Sequence, residues 1–185
     1  MNVRLWSLML AWSLGAWALV IVMSGAMAAV IFPTMKQLDP VLPEFVATPG
    51  DHWSLAAGLV MRKVFFISDI AQLVLAVIAV VSLTIVLKAS EIGVLARRML
   101  SLSLAVSCIA MLASAFWLSP AMRRDMDAAL VAGRAGNSAA MKAARTQFGE
   151  KHKSATTLMV TTLSGVVLAS VAAAATLKLF AKASP

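Results

Sequence analysis

Few side chains in this 185-residue chain could do chemistry, and the most suggestive lie inside an apolar run. The stretch 54–87, SLAAGLVMRKVFFISDIAQLVLAVIAVVSLTIVL, carries Arg62, Asp69 and Gln72. At 100° per residue these three fall within about 80° of one another and form one polar stripe. Such a stripe either ties neighbouring helices together or, open to one side of a membrane, lines a path for an ion or small solute. Against a path, Gln72 is the last strongly polar group before Lys88, so the second half of the run would hold no ionisable group. His52 and His152, with Asp51 or Glu150, compose the weak candidates for a metal site, but two histidines 100 positions apart specify no metal. Haem held by two imidazoles needs both inside the bundle, and these lie at its edge. No cofactor is expected. The single cysteine, Cys108, allows neither an intramolecular disulfide nor a cysteine metal cluster. The nine glycines are scattered and build no phosphate-cradling loop, and the 12 methionines form no M-x-x-M cluster.

The elements that must position these groups are long helices. From Val64 to Leu87 there are 24 residues, more than the roughly 20 a helix needs to cross hydrocarbon. Of the whole chain 61% is hydrophobic and 13% charged, against about a quarter charged in soluble domains. The apolar segments are too long for barrel strands and do not alternate. The expectation is an all-α integral membrane protein, a bundle of four transmembrane helices in one domain, with the bilayer as its first partner. The net charge of +8 sits mainly in loops and helix ends, where it serves topology and phospholipid headgroups. No aromatic–basic platform appears, and nucleic acid is not expected as a partner.

In chain order, the first span covers about 5–32 and ends before Pro33. It resembles a signal peptide in its basic start and Ala26-Met27-Ala28, but its apolar part is longer than a signal core. Ser7, Ala11 and Gly15, then Gly25 and Ala29, are spaced for close helix contact. Trp17 suits either an interfacial belt or bundle filling. Residues 33–53 hold four of the six prolines and read as an outer loop in which no long helix survives, with Asp51 capping the span at 54–87. A third span at 99–119 closes at Pro120, and its serines bond back to their own helix or across to Asp69. Residues 120–153 are polar with helical spacing, set Arg123 and Asp127 at i and i+4, and break between Gly133 and Asn137. They read as an extramembrane helical hairpin, its arms continuing the third and fourth spans beyond the bilayer, whose second arm packs Met141, Ala144, Phe148 and a buried or capped His152. The fourth span, 155–180, carries Thr157, Thr161, Gly165, Ala169 and Ala173 at strict four-residue spacing, a groove for close packing of another helix.

Basic residues at Arg4, Lys88, Arg97, Arg98, Lys178 and Lys182, against Lys36 alone in the first loop, put both termini on the cytoplasmic side of a cell inner membrane. The seven basic residues of 120–153 oppose this, but that segment is long and partly folded.

Several short motifs resemble a known family. Phe116-Trp117-Leu118-Ser119-Pro120 with Met126, then Phe148-x-x-x-His152 leading into a small-residue span, together with Gly25 and Arg62-Lys63-Val64-Phe65, resemble the four-helix membrane family typified by transmembrane protein 205. The likeness covers roughly residues 15–170. Lys153 and Met159 stand where that pattern has Gly and Asn. The resemblance implies four transmembrane helices and no established reaction.

The function expected is therefore non-enzymatic: a helical subunit or scaffold that docks into a homo-oligomer or a larger membrane complex. The alternatives are a carrier using Arg62, Asp69 and Gln72, and a metal- or haem-linked redox protein. If Asp69 accepts bonds from neighbouring helices, Asp69→Leu leaves those donors unsatisfied at about 1–3 kcal/mol and lowers the melting temperature in detergent; an unchanged melting curve would count against the stripe.

Overall fold

The structure is a computed structural model that describes residues 3–45, 52–89 and 92–182. Described residues outside the helices are short connections, and no strand occurs among them. Helix α1 spans Val3–Leu38, and a short 3₁₀ turn follows at Pro43–Phe45. Helix α2 spans His52–Ala89 and α3 Val94–Leu112; a π-helical segment at Ala113–Leu118 leads without a break into α4, Ser119–Arg134. Helix α5 runs over Ser138–Lys182. Four helical stretches, Val3–Leu38, His52–Lys88, Val94–Arg134 and Ser138–Ala175, are long and apolar enough to cross a membrane. The expected capping residue Asp51 lies outside the described residues.

Pro33 does not end its helix, and at Pro120 the third span continues into the hairpin arm as expected. Pro33 sits inside α1, which continues to Leu38 and stops at Asp39, held at a positive φ of 42° and followed by Pro40. A proline near a helix end removes one hydrogen bond without ending the helix, and the hydroxyl of Thr34 donates to Val30 O beside the gap at 2.8 Å. Pro120 is accommodated differently. Its ring would strike the carbonyl four residues back, that of Phe116, and Phe116 lies in the π segment, where carbonyls pair one residue further on. The helix therefore passes through the proline.

Contacts group the chain into two compact units built from segments of the same helices. The first comprises Met1–Val22, Asp69–Leu112 and Leu158–Pro185; the second, Met23–Ser68 and Ala113–Thr157.

In the first unit α1 buries Leu10, Ser13, Leu14, Trp17 and Ile21, a helical stripe. Gly15 meets nothing within 4 Å of a would-be Cβ, nor does Gly25 in the second unit, so the α1 glycines make no close contact. The small residues of α5 behave otherwise. Gly165, Ala169 and Ala173 are buried, while Thr161 is half-buried and Thr157, in the second unit, is exposed. The neighbour is α3 of the same chain: a Cβ at Gly165 would collide with Ser107 Oγ and come within 2.9 Å of Ser103 O. The Ser107 hydroxyl faces two carbonyl acceptors, Ser103 O at 2.9 Å and Thr162 O at 3.2 Å, so it bridges the two helices.

In the second unit the turn between α4 and α5 closes as a Schellman motif. Asn137 N donates to Ala132 O at 2.9 Å and Gly136 N to Gly133 O at 3.1 Å, with Gly136 at φ 69°. Asn137 Oδ1 then accepts from Ala140 N at 3.0 Å and caps α5.

Because α3 leaves no room at Gly165, Gly165→Leu should lower the melting temperature far more than Val167→Leu on the exposed side of the same helix, with overpacking alone costing at least about 1–3 kcal/mol. Equal shifts would undercut the close approach.

Candidate functional site

The polar stripe falls in both units, and its members have separate tasks. In the first unit Trp17, fully buried, donates from Nε1 to Gln72 Oε1 at 3.2 Å. This makes Trp17 bundle filling rather than a belt residue, and it satisfies an amide that would be costly to leave unpaired. Asp69 is half-buried, while Ile70, Leu73 and Val74 beside it are exposed. In the second unit Arg62 forms an ion pair with Asp127 of α4. Arg123, four residues from Asp127 on the same helix, lies over the ring of Phe66, 4.8 Å from its centroid. A cation placed over an aromatic face gains from the ring quadrupole. Ser24 and Ser68, both buried, bond hydroxyl to hydroxyl at 2.8 Å.

The second unit also gathers the charged side chains of the hairpin. Phe45, on the 3₁₀ turn, packs with Leu55 and Leu130 as a buried cluster bordered by Leu42, Leu59, Met126 and Met141. Gly133 is buried beneath it: a Cβ there would lie 2.8 Å from Phe45 Cδ1. That glycine serves close packing, while the turn itself depends on Gly136. Arg134 stands over Phe45 at 5.8 Å and donates from Nε to Glu44 Oε2 at 2.6 Å. Lys151 of α5 donates to Asp125 of α4 at 2.6 Å, and Asp125 is nearly buried. Arg145 donates to Ser54 Oγ at 2.8 Å. Sequence reading misses Phe45, Glu44, Asp125 and Lys151, because decisive partners are far along the chain: Leu130 is 85 positions from Phe45, Arg134 is 90 from Glu44, and Lys151 is 26 from Asp125.

The histidines are placed differently from one another. His52, in the first turn of α2, accepts at Nδ1 from Leu42 N at 3.2 Å and stands edge-on to Phe45, centroids 6.4 Å apart. An Nδ1 that accepts a backbone N–H is not available as a metal ligand at the same time. His152 is exposed and stacks on Phe148, centroids 5.9 Å and planes 10° apart, rather than being buried or capped. Among the described residues no three His, Cys, Asp or Glu side chains are placed together to hold a metal.

What this arrangement does chemically is join helices: paired amides, hydroxyls and charges cross between elements. No protein-family model, curated protein or solved structure matches this chain.

The ion pairs differ in worth. Arg62 and Asp127 are 39% and 53% exposed, so water screens them to at most about 1 kcal/mol. Asp125 is 10% exposed and Lys151 36%. Lys151→Met should therefore cost about 2–3 kcal/mol, less than the fully buried limit because the lysine is partly in water, and Asp125→Leu added to it should recover much of the loss. A double-mutant cycle of melting curves with no recovery would show that the pair is not a unit.

Proposed function

We propose that this chain is a four-span integral membrane protein that acts by association, as a non-catalytic helical subunit or scaffold of a membrane complex or homo-oligomer. The observation that carries this reading is that polar side chains within the long apolar helices pair with one another: Gln72 with Trp17, Ser24 with Ser68, and Ser107 with the backbone of α5. A carrier needs polar groups turned to a passing solute; here Gln72 and Arg62 are engaged by Trp17 and Asp127.

The spacing of charge supports the membrane reading. Lys63 and Lys88, Arg98 and Arg123, and Lys153 and Lys178 are each separated by 25 positions, and the only charge inside any of these intervals is Asp69. At 1.5 Å per residue each interval is about 37 Å of helix, enough for the hydrocarbon core and part of the headgroup region on both sides. The segments between Arg124 and Lys151 then form the extramembrane hairpin. The basic residues at 4, 88, 97 and 98 and at 178 and 182 place both termini on the cytoplasmic side of an inner membrane. The motif spacing around Pro120 and His152 puts the chain beside the family typified by transmembrane protein 205.

The test is purification of the full chain in mild detergent, with native mass and an absorption spectrum taken on the same sample. Associated protein mass, from other chains or from copies of this one, is expected. A bare monomer that admits solute into vesicles would replace the scaffold by a carrier. Visible bands or stoichiometric metal would replace it by a redox protein.

A further inference from the structure

In the second unit α2 and α4 run antiparallel, since Leu55 packs with Leu130, Arg62 meets Asp127 and Phe66 meets Arg123. The facing rows are thus Arg62 and Phe66 on one helix and Asp127 and Arg123 on the other. Lys63 stands 100° on from Arg62, and Arg124 stands 100° on from Arg123. Along two antiparallel right-handed helices that face each other, the same single step turns both side chains to the same side of the pair. Lys63 and Arg124 are both exposed. Neither meets a carboxylate among the described residues: Asp127, one turn from Arg124, is held by Arg62, and Asp125 by Lys151.

Immediately beyond these cations the exposed surface becomes apolar. Ile67, one turn past Lys63, is 67% exposed. Trp117, seven residues before Arg124, is 75% exposed. A solvated cationic patch would have no reason to end against a bare indole and isoleucine. A ligand with a phosphate at one end and a hydrocarbon tail at the other satisfies both.

We propose that Lys63 and Arg124 form a binding site for the headgroup phosphate of an anionic phospholipid, whose acyl chain lies against Ile67 and Trp117. The guanidinium offers the planar fork that matches phosphate oxygens, and the ammonium adds a mobile point charge. An indole beside such cations suits the boundary where aromatic side chains meet headgroups. This inference rests on the membrane reading and gives it a specific lipid chemistry.

The test uses the full chain in mild detergent, with native mass spectrometry and three probes: phosphatidylglycerol, phosphatidylcholine and inorganic phosphate. Phosphatidylglycerol should bind more tightly than phosphatidylcholine, and inorganic phosphate should neither form an adduct nor displace the lipid. Lys63→Gln with Arg124→Gln should weaken phosphatidylglycerol by about 30-fold, the equivalent of about 1 kcal/mol per cation. Lys63→Arg with Arg124→Lys should keep the affinity, which separates lost charge from lost fold. Lys142→Gln, an exposed cation elsewhere on the hairpin, should change it by less than about 2-fold. Equal binding of the two lipids, retention by the double Gln variant, an equal loss at Lys142→Gln, or displacement by inorganic phosphate would each overturn the site. Alkaline carbonate extraction of membranes carrying the same chain separates the two levels. Release of the protein overturns the membrane reading and the site together, whereas retention with no lipid preference overturns the site alone.

Discussion

A polar group placed in a long apolar helix must find its partner within the protein, and much of this structure follows from that constraint. Leaving an amide or hydroxyl unpaired in an apolar setting costs a few kcal/mol. Trp17 and Gln72 answer one another, Ser24 answers Ser68, and Ser107 answers the backbone of α5. Each bond also sets which faces of two helices meet. Many of the other hydroxyls bond one turn back on their own helix, as Ser7, Thr84 and Ser170 do, and so need no neighbour. Ser82 is an exception, fully buried with no hydrogen-bond partner among the described residues, and nothing in the structure explains it.

Close packing is concentrated where small residues coincide on two helices. Gly165 works because Ser103 and Ser107 stand opposite it, and the Ser107 hydroxyl fits only where a Cβ is missing. On α1 the same kind of spacing has no such counterpart, and large residues such as Leu10, Leu14 and Trp17 make the contact instead. Small-residue spacing therefore permits close approach without requiring it. Gly133 repeats the lesson in the second unit, where the approaching group is the ring of Phe45.

Charge has a second, layered role. Exposed pairs such as Arg134 with Glu44 contribute little stability in water, but they hold the 3₁₀ turn at Pro43–Phe45 against α4. The less exposed pair of Asp125 and Lys151 joins the two arms of the hairpin. Cations such as Lys63 and Arg124, which face no carboxylate, stand beside exposed apolar surface, where an anionic lipid would complete them.

The sequence by itself determined the helical class, the four long apolar stretches and the helical arms on either side of Gly133–Asn137. These follow from length, composition and periodicity, which are local properties. Of its five-residue small groove, 165, 169 and 173 are buried while Thr157 is exposed. The sequence misjudged Pro33 as a helix end, because whether a proline breaks a helix depends on its position and neighbouring backbone, and Pro33 lies only about a turn and a half before the helix stops. The pairing of Asp127 with Arg62 was invisible for a related reason: spacing along one helix can be read locally, while Arg62 is 65 positions away. Only the tertiary structure decided that Ser107 is the group opposite Gly165, that Trp17 fills the interior, and that Phe45 anchors its turn under Arg134. Each of those contacts joins segments whose meeting depends on how whole helices align, and no local pattern carries that information.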